Sequence, residues 1–431
     1  LFYCACKQCA PKNVFISTIG STKIKTILEQ ADILISGAGG SGLSMAYYLS
    51  KSPWRNKRIF LFDQERKEHN DRTWCFWAKE KPAFESAQTF SWETLHFAGR
   101  NFSKTASIAP YRYYYLRGSD FYKEVKTHLA AFSNIIFLQE PVKAIHEDGK
   151  RVFLESVSQS YQAPWLFNSI PHFSPHFPLP EDAVKQYFKG YFIESEQAVF
   201  NAQAATLMDF SFEQDGQSVL FFYVLPFSPH KALVECTVFS AQTQNTESFV
   251  PILERYIHQK LNIKHFRIQE EEQGMIPMHV LPPIKATNSR IFHIGTAGGM
   301  TKASTGYTFG RIQEACADFV ARWSNFDKAP TWQSAAARHR FYDQLLLDII
   351  RKKPQLLGAI MESLFQKNDF RNIIDFLEEK SSYRQEMRLI SKLPFQPFLQ
   401  ACYEKYGFAK QKQAPYHKPW EGVVVGDSTH S

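Results

Sequence analysis

The stretch from Asp32 to Asp63, DILISGAGGSGLSMAYYLSKSPWRNKRIFLFD, constrains this chain more than any other part. An apolar run, Ile33 to Ile35, leads into Gly37, Gly39 and Gly42 in GxGxxG spacing. A helical stretch follows, then a second apolar run, Ile59 to Phe62, ending in Asp63. Gly37 permits a tight turn out of a strand, Gly39 lets backbone N–H groups approach a pyrophosphate, and Gly42 lets the helix pack closely on the sheet. The positive end of the helix favours phosphate charge. Asp63 lies 21 residues after Gly42, the separation at which an acid hydrogen-bonds the ribose hydroxyls of an adenosine. Strand, glycines, helix and acid together predict a dinucleotide-binding unit.

A chain of 431 residues accommodates one large domain or two to three interleaved ones. Aromatic residues make up 15% of it, with 38 Phe and 19 Tyr, which suits either a Phe-rich core or an apolar ligand cavity. The net charge of +8 is dispersed, with no long Lys/Arg block. That pattern points to an anionic membrane surface or an anionic cofactor, and no nucleic-acid-binding motif accompanies it. Cys75, Cys236, Cys316 and Cys402 are scattered, as in a reduced cytoplasmic protein. Cys4, Cys6 and Cys9 form CACKQC, but no fourth Cys or His lies nearby, so no metal site is expected. No apolar run reaches the roughly 18 residues of a spanning helix, so any membrane contact is expected to be peripheral.

The predicted fold class is α/β. Residues 68–77, EHNDRTWCFW, read as a loop near the ligand. Residues 111–132 begin strand-like and turn helical after Gly118 and Ser119. Residues 186–284 are β-rich, with runs such as SVLFFYVLPF and ALVECTVFS. SRIFHIGTAGG, residues 289–299, repeats the opening logic with Gly295, Gly298 and Gly299, and a helix is predicted over 306–323. The expected domains are a discontinuous nucleotide-binding unit over 31–170 and 285–330, an inserted β-rich substrate domain over 171–284, and a helical cap over 331–408. Within the cap Phe341, Leu345, Leu346, Ile349 and Ile350 form one stripe. Residues 1–30 and 409–431 are expected to be disordered.

Glu235 sits among apolar neighbours in ALVECT, Asp209 in TLMDF and Glu194 in KGYFIES. A carboxyl in apolar surroundings holds its proton toward neutral pH, as a general acid must. Taken singly, each of the three reads first as an ordinary acid, solvated or paired with Lys or Arg.

The set TLMDF, FFYVLPFSPHKALVECTVFS, GMIPM and IGTAGGMTKASTGY, with the opening GAGGSGLS and the DRTW segment, resembles the bacterial lycopene β-cyclase family of flavoproteins. The resemblance runs from about Ala31 to Phe376. It implies the FAD-dependent two-domain architecture of aromatic hydroxylases. It also implies closure of the ψ end groups of lycopene to β-ionone rings without net redox, on reduced FAD supplied with electrons by NAD(P)H. By the same resemblance, Glu235 is the acid/base candidate and Asp209 and Glu194 support it. Gly37, Gly39, Gly42, Asp63, Arg117, Gly295, Gly298 and Gly299 hold FAD. The substrate is a membrane-dissolved carotenoid, which implies a cytoplasmic protein bound peripherally to the bilayer. The chain departs from the family pattern at Cys236, where a second acid is usual, at Thr296 and Asn168, where Asp is common, and at Ala303 in place of Pro. Two rival readings are an FAD-dependent monooxygenase acting on an apolar isoprenoid and an inactive carotenoid binder.

Overall fold

The computed structural model describes residues 28–212, 218–282, 289–332 and 336–407. The CACKQC segment, most of the expected leader and the tail lie outside the described residues. The fold is α/β, as expected.

A parallel sheet of five strands organises the nucleotide-binding part. Its order is Ile291–His293, Trp165–Asn168, Ile33–Ser36, Ile59–Asp63 and Ile135–Gln139. Every position of Ile33–Ser36 and Trp165–Asn168 is buried. Such strands are covered on both faces, which is why they read as continuous apolar runs. On one face the helix Gly40–Ser50 packs between Gly118–Leu129 and Phe309–Arg322. On the other, Val152, Leu154 and Tyr161 of a four-stranded sheet cover Leu34, Phe60 and Phe62. The departure at Asn168 has a structural role. It accepts a hydrogen bond from Ser36 Oγ at 2.8 Å and donates to Ile170 O at 3.0 Å and His293 Nδ1 at 2.9 Å. Burial lowers the His293 pKa to about 4, so the ring is neutral and Nδ1 can accept.

The β-rich segment forms most of a seven-stranded sheet. Its order is Phe266–Met278, Val184–Ser195, Lys231–Ser240, Val219–Pro226, Ala204–Asp209, Thr94–Ala98 and Ser103–Ser107. The last two strands come from within 31–170, so the nucleotide-binding segment also contributes to this sheet. Residues 68–77 correct another expectation. Their second half is the strand Thr73–Ala78, paired with Arg112–Arg117. Trp74 and Phe76 pack into the nucleotide-binding core, while Cys75 and Trp77 face the core beneath the large sheet. A strand buried on both faces shows no polar alternation, so the sequence hid it.

Helices Ala337–Lys352, Leu357–Lys367, Phe370–Leu377, Tyr383–Ile390 and Phe395–Cys402 close the described chain. In the expected stripe Leu345, Ile349 and Ile350 are buried, whereas Phe341 is 37% exposed. No described helix is long and apolar enough to cross a membrane. Lys302, buried in the loop after the second glycine turn, binds Asp343 and Glu379 of this helical region, each at 2.9 Å. Arg311 adds a second partner for Glu379 at 3.2 Å. Removing one member of a buried ion pair leaves an uncompensated charge and costs about 3–5 kcal/mol. Lys302→Met should therefore lower stability in denaturant melts by that order, Arg311 moderating the loss. A change below about 1 kcal/mol would mean the helices are held by apolar packing alone.

Candidate active site

Two glycine turns meet at the carboxyl ends of the parallel strands. Gly37 has φ +89° and Gly295 φ +63°. A Cβ on Gly42 would lie 1.8 Å from the Gly37 carbonyl oxygen, on Gly295 2.4 Å from Ser41 Oγ, and on Gly298 2.1 Å from His293 O. These glycines let the turns and the first helix touch. Gly299, with φ +74°, would place a Cβ in ordinary contact with Leu281, at 3.5 Å. Gly39 differs, because a Cβ there would meet nothing within 4 Å. It begins a helix whose N-terminus has no side-chain cap. The first-turn N–H groups thus have no side-chain cap and Gly39 leaves room beside them, as a phosphate site requires.

Asp63 closes this unit. Its Oδ2 accepts from Ala38 N at 2.7 Å and its Oδ1 from Glu65 N at 3.0 Å. Gln139 pairs with Asp63 across the sheet and, with Leu43, Leu61, Arg66, Lys126 and Phe137, lines a cavity of about 420 Å³. Arg117 stands at the seam between the sheets. Its Nη2 donates to Glu270 Oε2 at 2.6 Å, and its guanidinium lies 5.9 Å from the Phe192 ring centre.

The acids separate. Strand pairing sets Tyr223, Glu235, Gly190 and Glu272 side by side in one row across four strands. Glu235 Oε1 accepts from Thr237 Oγ1 at 2.6 Å, and Glu272 Oε2 from Thr73 Oγ1 at 2.6 Å. The two carboxyls are close enough to influence each other's ionisation. Both keep some accessible surface, though protein surrounds them deeply. Burial, and next the charge of Glu272, push the Glu235 pKa well above the usual carboxylate range. Burial also raises Glu272, against Thr73 and Glu235, which favour its charged form. Tyr223 and Cys75 adjoin the pair, Tyr307 and Tyr113 lie next to them, and burial keeps all four neutral by raising their pKa values. Tyr113 and Tyr307 are linked by a 3.1 Å hydrogen bond.

Asp209 lies on the opposite face of the sheet. It accepts from Tyr256 Oη at 2.7 Å and from Ser211 N and Oγ at 2.8 and 2.5 Å. Glu194 shares the face of Gly190 but sits four residues along the strand, roughly 13 Å away at about 3.3 Å per residue. There it pairs with Lys231 at 3.4 Å and Gln269 at 3.0 Å. Only Glu235 of the three expected acids enters the row. Cys236 points into the apolar cluster of Phe222, Leu253 and Tyr256 on the other face. An acid at position 236 would face away from Glu235.

Sequence reasoning missed Glu272. It lies in RIQEEEQGM, residues 267–275, which looks like a solvated acidic run. Alternation sends Glu270 and Glu272 to one face and Glu271 to the other, where Glu271 meets Lys189 at 2.8 Å. Noting that GMIPM ends a strand would have supplied the register.

Comparison with known proteins now fits this geometry. The sequence profile of the family described as lycopene cyclase protein matches residues 32–403. The chain belongs to the lycopene cyclase family. No curated protein matches the sequence significantly. Among solved structures, it is similar to a flavoprotein/dehydrogenase from Cytophaga hutchinsonii at TM-score 0.59 and 11% identity, covering 88% of this chain and 100% of that one. It is similar to p-nitrophenol 4-monooxygenase from Pseudomonas putida at TM-score 0.55 and 12% identity, covering 86% and 99%. A geranylgeranyl bacteriochlorophyll reductase-like protein from Thermoplasma acidophilum gives 0.53 and 13%, covering 88% and 98%. At these identities the likeness establishes the flavoprotein-like fold of this lycopene cyclase family member.

The Thr237 hydroxyl favours the ionised form of Glu235. A hydrogen bond to a charged group contributes about 1.5–3 kcal/mol, so Thr237→Val should raise the pH at which Glu235 ionises by about 1–2 units. Infrared titration of the protonated-carboxyl band measures this. A downward shift would mean that the hydroxyl instead supports the neutral form.

Proposed function

We propose that this lycopene cyclase is a β-cyclase that closes the ψ end groups of lycopene by acid-initiated carbocation chemistry. The observation that carries the reading is Glu235, a carboxyl whose surroundings keep it protonated and whose neighbours are neutral phenols. A hydrocarbon offers no polar handle, so activation must come from a strong, desolvated proton donor.

Glu235 delivers its proton to C2 of the terminal double bond. The C1 cation is captured by the C5–C6 double bond, and charge moves to C5. Loss of the C6 proton forms the ring double bond. One proton enters and one leaves, so the electrons balance without oxidation. The rings of Tyr113, Tyr223 and Tyr307 exclude water that would otherwise trap the cation. FAD is the cofactor that the open cradle at Gly39 and the acid at Asp63 fit, with Gly37, Gly42 and the turn Gly295–Gly299 shaping the site. When bound in its reduced, anionic form it supplies negative charge that stabilises the cation. NAD(P)H is the proposed electron donor. Arg117 is engaged with Glu270, so its proposed part is to hold the seam between the cofactor and acid sites rather than to grip the pyrophosphate. Asp209 and Glu194 are assigned support of the sheet.

Lycopene dissolves in membranes, and the helical region offers a surface to meet one. Phe395, Leu399 and Tyr403 recur every four residues and are 67%, 60% and 66% exposed, and Tyr383 nearby is 61% exposed. Arg384, Arg388 and Lys405 are exposed alongside, which suits an anionic lipid face. These exposed aromatic and basic side chains support the proposal that the protein binds peripherally at the cytoplasmic face of the bilayer.

Three experiments test the reading. Glu235→Gln keeps shape but removes the transferable proton, and should cut β-carotene formation from lycopene about 10²–10⁴-fold with FAD content unchanged; a near wild-type rate would exclude Glu235 as the acid. Gly39→Val fills the open cradle and should yield colourless protein, whereas stoichiometric flavin in the purified variant would sink the cofactor assignment. Phe395→Ser with Leu399→Ser should weaken cosedimentation with anionic liposomes by about tenfold or more. Equal binding would place the membrane contact elsewhere.

A further inference from the structure

Resting on the reading of Glu235 as the acid, we propose that Glu272 is its working partner. The two carboxyls share one proton across a gap that Gly190 keeps open between their strands. The inference is geometric. Glu235 and Glu272 do not lie on neighbouring strands, because the strand Val184–Ser195 runs between them. Gly190 is the residue of that strand registered with both. Any side chain there would stand between the carboxyls. A Cβ on Gly190 would lie 3.2 Å from Glu272 Cγ, 3.4 Å from Glu235 Cβ and 3.0 Å from Leu233 Cδ1. The glycine is thus what leaves room for two acids, separated by a whole strand, to approach each other.

The surroundings favour one shared proton over two separate groups. Thr237 donates to Glu235 and Thr73 to Glu272, each at 2.6 Å. One oxygen of each acid is therefore held by a threonine, and in the proposed pair the other two share the proton. The strand Val219–Pro226 contributes Tyr223, the loop after the second glycine turn Tyr307, and the strand Thr73–Ala78 Cys75, all held neutral by burial. The strand Arg112–Arg117 contributes the neutral Tyr113 and Tyr115, and Arg117, whose charge reaches Glu272 but is spent on Glu270 at 2.6 Å. The cation nearest the pair thus lies on the Glu272 side. The negative charge settles there, and the proton stays with Glu235, which faces Tyr223. Two carboxylates this close cannot both ionise readily. When Glu235 gives its proton to C2 of the end group, the pair is left doubly charged. That state draws the C6 proton back onto one of the two oxygens and restores the starting form. The protein gains and loses no net proton, and no oxidant or reductant takes part.

Infrared titration of the purified holoenzyme without lycopene tests the pairing apart from turnover. The protonated-carboxyl band is assigned by its absence in Glu235→Gln. In Glu272→Gln, which keeps the shape, the neighbouring charge is gone. Glu235 should then ionise about one pH unit or more lower than in the wild type, and the upper pH limit of cyclisation should fall with it. Gly190→Ala should separate the groups and give the same downward shift. Should that variant fail to bind flavin, Glu272→Gln decides alone. Glu271→Gln, on the opposite face with Lys189, should leave the titration unchanged. An unchanged ionisation of Glu235 in Glu272→Gln overturns the pairing even if Glu235 proves to be the acid. A normal shift with unaltered lycopene would instead uphold the pairing and reject the cyclase reading.

Discussion

Successive side chains on a β-strand point to opposite faces, and the strand Lys231–Ser240 is buried on both. This alternation fixes where proton chemistry can occur. Glu235 and Thr237 face the core beneath the sheet, on the side of Leu233, Phe239 and Tyr223. Cys236 faces the apolar layer closed by the helix Val250–Arg255. A second acid for Glu235 therefore has to come from another strand, and the register supplies Glu272. Burial then does the electrostatic work. A carboxyl removed from water resists ionisation, and a second carboxyl beside it adds to that resistance.

The nucleotide unit was largely legible in the sequence, because each of its parts has a local signature. Gly37, Gly42 and Asp63 lie where the spacing put them, and the second turn at Gly295 packs on Ser41 of the first helix. The acid site was legible at one residue only. Glu235 stood out as a charge inside an apolar strand. Glu272 did not, because its neighbours Glu270 and Glu271 made it look solvated. Asp209 looked equivalent to Glu235 in local sequence, yet strand pairing turns it to the far face, where Tyr256 and Ser211 satisfy it. Which face a residue takes depends on register, a long-range property that no local window contains. The strand Thr73–Ala78 was hidden for a related reason, being buried on both sides.

The second glycine turn and the acid row are joined mechanically. Tyr307 sits in the loop that follows the second glycine turn and bonds to Tyr113 beside the carboxyls. The same loop carries Lys302, which grips Asp343 and Glu379 of the helical region. One loop therefore connects the dinucleotide turn, the phenols around the acid and the helices that carry the exposed aromatic face. Rigid support of this kind holds reacting groups in position. It also means that the helix with the exposed aromatic face and the buried acid share one framework.

The central claim is that a protein carboxyl, in exchange with solvent protons, starts the reaction and that no oxidation follows. Cyclisation of lycopene in D₂O with reduced FAD, read by mass spectrometry of the pigment, tests this most directly. The account predicts a product heavier than lycopene by one deuterium for each ring closed, carried at C2, with no oxygen added. A cyclic product free of deuterium, or a product that has gained oxygen, would contradict it.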